Sequence, residues 1–378
     1  MAASEKIVLV GPAPPYRGGI ANTQYQLALA LKKEKQEVVM ATFTHLYPPL
    51  LFPGKTQFQT EKDTYALETD RLIHAYNPVK WGEAVVALKK LQPNILIFRY
   101  YTPFLAPVYG AIAKHLKSTK KIALVDNWWP HERKPWDRFL NRYFGKYMDG
   151  FATLSSLVGE QIEQENFQKP LFKGFHPIAN NLPAILPQKE ARNHLGWPQE
   201  VPIVLFYGLI RPYKGLDLLL KAFGETPLKN SPTLLAVVGE CYEDEKKYIH
   251  LIKALDIEDK VLVHFNYADQ KMTQQVFSAA HVVAQTYHTA TQSGVTPLAY
   301  HYEKPILVTD IPGLRDPILA DRTGMISEKA PVAIAHQITK LMEKQNLKSC
   351  KRKCKEAKQN YSWDTFSQKL LKFIQTMG

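Results

Sequence analysis

Residues 290–313 read ATQSGVTPLAYHYEKPILVTDIPG, and the interpretation of this stretch decides the fold. Before it, Val282, Val283 and Ala284 have the unbroken apolar character of a buried strand, and Pro305–Thr309 near its end reads the same way. Between these runs the small polar turn Thr291, Gln292, Ser293, Gly294 opens a helix at Val295. Strand, turn, helix and strand in that order form the repeating unit of a parallel α/β sheet. Such a turn presents backbone N–H groups at the positive end of a helix dipole, where a phosphate or a sugar hydroxyl binds. An ordinary βα turn has the same look, so the functional reading depends on whether other loops agree with it.

Two loops upstream do. IVLVGPAPPYRGGIANTQYQLALALKK runs from a strand at Ile7–Val10 through a Pro/Gly loop into an amphipathic helix near Gly19. Gly18 and Gly19 let the backbone approach a ligand, and no side chain shields the helix start. The spacing is not GxGxxG, so the dinucleotide fingerprint is missing. VLFYGLIRPYKGLDLLLKAF repeats the scheme, with Arg211 and Lys214 standing between Gly208 and Gly215. A cation pair in a glycine-bounded loop leaving a buried strand points to an anion site.

Ten strand-like runs alternate with helical periodicity along the chain. In the first half they are Ile7–Val10, Glu37–Phe43, Ile95–Phe98, Lys121–Val125 and Phe151–Leu154. In the second they are Ile203–Tyr207, Thr233–Val238, Val261–Phe265, Val282–Ala284 and Ile306–Thr309. A length of 378 residues exceeds one ordinary core and suits two domains. The fold expected is α/β, with two doubly wound, Rossmann-like parallel-sheet domains facing a cleft. The expected division is 1–178, a proline-rich linker with one short helix at 179–200, and 201–360. An amphipathic helix at 361–376 is placed to brace the first domain.

An apolar content of 45% with 22% charged residues is globular. No run is long enough to span a membrane, and MAASEKIVLV enters a strand at once, so no signal peptide is expected. Three cysteines build no disulfide framework, and Cys350 with Cys354 are too few for a zinc site. A reducing, cytoplasmic location is expected. The net charge of +13 allows nucleic acid, an anionic membrane or an anionic substrate as partner. No helix-turn-helix, RRM or zinc-finger pattern supports nucleic acid. Arg138, Arg142 and Lys146 recur every fourth residue, with Phe139 and Tyr143 on a neighbouring face, and Lys114, Lys117, Lys120 and Lys121 close a nearby helix. The stripe reads first as a solvated helix face, and second as the basic face of a peripheral enzyme on anionic lipid at the inner membrane surface. Leu50, Leu51 and Phe52, apolar between prolines, read as loop packing or as contact with a lipid tail.

The motifs PYRGGIANTQYQLA, YGLIRPYKGLDLLLKAF, VVGECYEDEKKY and the opening stretch, in this order, resemble GT-B fold glycosyltransferases of the retaining group 1, family 4 type. The resemblance covers nearly the whole chain. It implies a nucleotide-diphosphate sugar held by the C-terminal domain and an acceptor site in the N-terminal domain. It further implies transfer of a hexosyl group with retention, and no obligatory metal or other cofactor. The nearest DxD-like run, Glu243-Asp244-Glu245, reads instead as the solvated start of a helix. The chain departs from the family at three places. Ala290 and Leu298 stand where two glutamates are common, and Leu209 where an arginine follows the phosphate-loop glycine. Backbone N–H groups of Gln292–Val295, with the Gln292 and Ser293 side chains, then have to hold the donor, and Arg211 has to stand in for the missing arginine.

The resulting assignments are specific. Arg211 grips diphosphate with its planar fork and Lys214 adds a point charge, neutralising the leaving group. Gly18 and Gly19 close over the same diphosphate. Glu240, after the strand LLAVVG, meets the nucleotide or caps its own loop, and Thr291, Gln292, Ser293, Gly294 and Val295 line the donor. On the acceptor side Asn127, Trp129 and His131 follow a strand end in VDNWWPHERKP. The family resemblance places His131 at the reacting centre, with Glu132 a weaker companion. The leading function is sugar transfer to a glycan or lipid-linked glycan in polysaccharide biosynthesis. The alternatives are nucleotide-sugar epimerisation or hydrolysis, and a non-catalytic GT-B scaffold subunit.

Overall fold

The computed structural model describes residues 4–48, 57–58, 67, 69–130, 133–180 and 182–377. The chain divides into two compact units, Met1–Ala179 with Trp363–Gly378, and Asn180–Ser362.

The first unit contains β1 (Lys6–Val10), α1 (Gly19–Lys33), β2 (Glu37–His45), β3 (Thr69–His74), α2 (Trp81–Lys90) and β4 (Ile95–Tyr100). It continues through α3 (Ala106–His115), β5 (Lys120–Val125), α4 (Asp137–Lys146), β6 (Gly150–Thr153), α5 (Ser156–Glu163) and β7 (Leu171–Lys173). The seven strands pair in parallel in the order β3-β2-β1-β4-β5-β6-β7. Because side chains alternate across a strand, the sheet feeds two cores. Val8, Val10, Phe98 and Tyr100 meet Leu88, Val108, Phe144 and Ile162 from α2 to α5. Ile7, Leu9, Ile95 and Ile97 meet Leu27 and Leu31 of α1 on the opposite face. Trp363, Phe366 and Leu370 join this second core from the C-terminal helix, which packs on α1. Each such buried aliphatic or aromatic side chain contributes about 1.5–3 kcal/mol, so both layers are needed to hold the central strands.

The second unit contains α6 (Gln188–Leu195), β8 (Ile203–Tyr207), α7 (Leu216–Gly224), β9 (Leu234–Val238), α8 (Glu245–Ala254), β10 (Val261–His264) and α9 (Gln270–Ala279). It continues with β11 (Val282–Gln285), α10 (Val295–His301), β12 (Ile306–Thr309), α11 (Pro312–Asp321), β13 (Gly324–Ser327), α12 (Pro331–Met342) and α13 (Lys344–Asn360). The C-terminal helix of the first unit is α14 (Trp363–Gln375). Six parallel strands pair in the order β10-β9-β8-β11-β12-β13. Leu219, Phe223, Ile252 and Ile338 from α7, α8 and α12 cover one face.

All ten strands expected from sequence are present. Three more, β3, β7 and β13, complete the sheet edges. They were missed because TDRLIH is half exposed and carries two charges, while LFK and GMIS are too short to show a pattern. Residues 179–200, expected as a linker with one short helix, hold that helix as α6, which packs on α9, with Arg192 donating to Ala279 O at 3.1 Å. The acidic run is a helix start: Asp244 Oδ1 accepts the Lys246 N–H at 3.0 Å. Glu243 is paired with Lys247 at 2.7 Å and accepts from the Tyr248 hydroxyl at 2.6 Å. The basic stripe on α4 is partly neutralised, since Arg138 and Arg142 both pair with the buried carboxylate of Glu165, at 3.3 and 3.0 Å.

Candidate functional site

The second sheet reverses its strand order between β8 and β11, and the loops leaving these two strands follow their C-terminal ends. Ligands bind at such switch points in open α/β sheets. The loop after β8 spans Gly208–Gly215 and ends in a 3-10 turn at Pro212–Lys214. It is clamped on both sides. Ile210 N–H donates to Glu240 O at 2.8 Å, and Tyr242 N–H donates back to Ile210 O at 3.0 Å, tying it to the loop after β9. Thr286 Oγ1 donates to Gly215 O at 2.8 Å, and His288 N–H to Tyr213 O at 2.7 Å, tying it to the loop after β11. Gly215 has φ 65°, and a Cβ there would stand 1.9 Å from Thr286 O. Only glycine fits that close approach.

The clamp fixes two cations. Lys214 is half-buried, with its ammonium 5.7 Å from the centre of the Tyr287 ring. Burial, helped by the neighbouring Arg211, lowers its pKa to about 8. Arg211 is exposed and lies over the Tyr242 ring at 5.0 Å. Asp217, the carboxylate on the helix this loop feeds, is held by His288 at 3.0 Å and by Lys221 at 3.9 Å. Among the described residues neither Lys214 nor Arg211 has a carboxylate partner. A desolvated ammonium beside a guanidinium, with no counter-charge among the described residues, is an arrangement able to receive an anion.

The turn after β11 differs in one respect from the sequence reading. Its N–H groups are not all open: Ser293 Oγ accepts the Val295 N–H at 3.2 Å, and Ser293 O accepts the Thr296 N–H at 3.3 Å. A serine two residues before a helix start closes such a turn on itself. The Ser293 hydroxyl also meets the Tyr287 hydroxyl at 3.1 Å, so this side chain shapes the turn. Gln292 keeps a buried Oε1 that has no hydrogen-bond partner among the described residues. Gly294 faces open space, and Thr291 is engaged in the fold. Gln285, fully buried, donates to Thr296 Oγ1 at 3.0 Å and locks α10 to the sheet. Glu240 is half-buried beside the phosphate loop, its backbone carbonyl holding Ile210.

In the first unit the order reverses between β1 and β4. Gly18, at φ 115°, precedes α1, and among the described residues nothing lies within 4 Å of where a Cβ would stand at Gly18 or Gly19. Asn127 and Trp129 follow β5; Asn127 is engaged in the fold, and Arg133 lies 4.9 Å over the half-buried Trp129 ring. Trp128 between them is core, wedged against Tyr100 and Phe151. His131 and Glu132, like Leu50–Phe52, lie outside the described residues. Sequence reasoning missed a buried pair at these strand ends. Arg99 grips Asp126 with Nε and Nη2 at 2.5 and 2.6 Å and donates to Thr23 Oγ1 of α1 at 3.0 Å. The signal was an arginine inside the otherwise apolar ILIFRYY.

Comparison with known proteins bears on the family and the fold. Residues 187–360 match the family model described as glycosyl transferases group 1. Two D-inositol 3-phosphate glycosyltransferases align, from Kineococcus radiotolerans (29% identical, 35% of this chain) and Xylanimonas cellulosilytica (27% identical, 36%). Each match spans 32% of the relative, so the chain covers about a third of the length of either. Among solved structures, a glycosyltransferase from Rickettsia africae superposes with a TM-score of 0.75 at 16% identity, covering 100% of this chain and 99% of its own. Sucrose-phosphate synthase from Thermosynechococcus elongatus gives 0.73 at 18%, covering 99% of both chains. Anabaena HepE in complex with UDP and glucose gives 0.70 at 16%, covering 98% of this chain and 100% of its own. Likeness at these identities establishes the fold. As a whole the chain has the GT-B fold, and its residues 187–360 are similar to the group 1 glycosyl transferases.

Proposed function

We propose that this protein transfers a hexosyl group from a nucleotide-diphosphate sugar to a glycan or lipid-linked glycan, with retention of anomeric configuration. The observation that carries the reading is the pair Lys214 and Arg211, fixed at the switch point of the second sheet without a counter-charge. When the bond between the anomeric carbon and the diphosphate breaks, negative charge develops on the leaving oxygen. Cations already in place stabilise that charge without reorganising, which is the largest single catalytic effect in many enzymes. Lys214 supplies a point charge and Arg211 a bidentate fork, and together they take the part that a metal plays elsewhere. Gln292 Oε1 is an acceptor for a donor hydroxyl, and Glu240 lies beside the same loop for the nucleotide. The first unit serves the acceptor, with His131, Asn127 and Trp129 as the residues proposed to meet it.

A second reading has one specific observation in its favour. Ala290 and Leu298 replace the two family glutamates, so a GT-B scaffold without transfer would keep nucleotide binding and lose chemistry. Release of nucleoside diphosphate from a panel of nucleotide sugars and glycan acceptors separates the two. The transfer reading expects acceptor-dependent release that persists in EDTA. Tight nucleotide binding with no release on any acceptor would leave the scaffold, and activity restored only by Mg²⁺ or Mn²⁺ would remove metal independence.

A further inference from the structure

We infer that the exposed face of α4 is a docking surface for an anionic lipid bilayer, with Trp136 and Phe139 as its anchors. Phe139 of α4 is 73% exposed and Trp136, the cap residue just before the helix, is 57% exposed, while the opposite side of the helix, through Asn141, Phe144 and Gly145, is buried in the first unit. The backbone at Trp136 is already αR, so Trp136 and Phe139, three apart, lie on the same side of the helix and present an apolar ridge. Lys134, Arg138, Arg142 and Lys146 border it, all exposed. Glu165 offsets part of this charge, yet the Arg138 and Arg142 side chains remain 65% and 52% exposed beyond it. The Asp137 carboxylate is buried and accepts the Lys134 N–H at 2.7 Å, so it faces away from solvent. Large aromatic rings ringed by lysine and arginine on a helix face are the composition of an interfacial segment. The rings sit at headgroup level while the cations meet lipid phosphates.

Charge alone would not single out this face. α13 carries more cations, including Lys348, Lys351 and Lys355, but exposes no large apolar side chain, and it reads as a solvated helix. Single-stranded nucleic acid would use the rings for base stacking. The Trp136 face is already covered by Lys134, whose ammonium lies 5.7 Å from the ring centre, which favours lipid. The inference stands apart from the transfer reaction, since no residue in it belongs to the donor or acceptor site.

Co-sedimentation of the full chain with phosphatidylcholine vesicles, and with vesicles rich in phosphatidylglycerol, at low and high salt tests it. Binding is expected to the anionic vesicles alone and to fall as salt rises. Trp136→Ala/Phe139→Ala is expected to weaken it by about tenfold or more, with unchanged thermal unfolding because both rings are exposed. Lys134→Glu/Lys146→Glu is expected to abolish it. Trp136→Phe is expected to keep binding while losing the lipid-induced blue shift of tryptophan fluorescence. Absence of binding at low salt, or wild-type binding by the double alanine variant, would overturn the inference. So would tighter binding to a single-stranded oligonucleotide than to vesicles, or self-association through this ridge without vesicle binding.

Discussion

At Lys214 burial and function pull in opposite directions. Burial disfavours the ammonium and brings its pKa to about 8, while a bound diphosphate would restore it. Lys214→Ala and Arg211→Ala are each expected to cut turnover on the order of 100-fold or more, with the fold intact by circular dichroism. Near-native turnover in both would remove the diphosphate assignment. The lysine also sets a pH limit. Below pH 8 it is charged in the free protein and attracts the anion, so donor KM is expected to climb as pH passes about 8. A flat KM profile from pH 7 to 9 would show that Lys214 does not meet the donor. Both cations were legible in the sequence because glycines bracket them in a loop leaving an apolar run. The use of Ser293 was not, since a serine in a βα turn faces ligand or backbone according to a rotation that no spacing reveals. The pairing of Arg99 was equally hidden, because its partner Asp126 lies 27 positions away, just past the end of the neighbouring strand β5.

Among elements, the central strands announce themselves and the edges do not. β4 is buried at every position and reads as an apolar run, whereas β3 meets a neighbour on one side only and keeps its charges. Helix ends are likewise set by partners distant in sequence. α9 ends against Arg192, which donates to Ala279 O, and Lys304, which donates to Ser278 O and Ala280 O at 3.1 and 2.9 Å. Both cations complement the negative end of that helix. Burial, with Lys351 and Arg192 nearby, lowers the Lys304 pKa to about 7. The unfolded chain, with an ordinary lysine near 10.4, therefore binds more protons than the folded one above pH 7, and stability rises with pH there. Urea unfolding is expected to gain on the order of 1–2 kcal/mol between pH 7 and 9, and Lys304→Met to flatten that slope. A slope unchanged by the substitution would mean that Lys304 stays charged in the folded state.

For the whole molecule, sequence yields the two parallel-sheet units and the family motifs, because these depend on local alternation and on turns. The net charge of +13 was equally plain, but its distribution was not. Arg138 and Arg142 look free on a helical wheel and are tied to a glutamate from another element. The proposed donor site is more legible than the proposed acceptor site for a related reason. A diphosphate is common to many nucleotide sugars, so the residues proposed to hold it lie in recognisable loops. On the proposed acceptor side only the segment around His131 carries such a pattern, and it lies partly outside the described residues. Calorimetric titration of nucleoside diphosphates into the full chain and into Lys214→Ala/Arg211→Ala tests the anion site directly. At least one nucleoside diphosphate is expected to bind the wild type and to lose about 100-fold or more in affinity in the variant. Equal affinity in both proteins, or no binding of any nucleoside diphosphate to the wild type, would contradict a diphosphate cradle at the switch point of the second sheet.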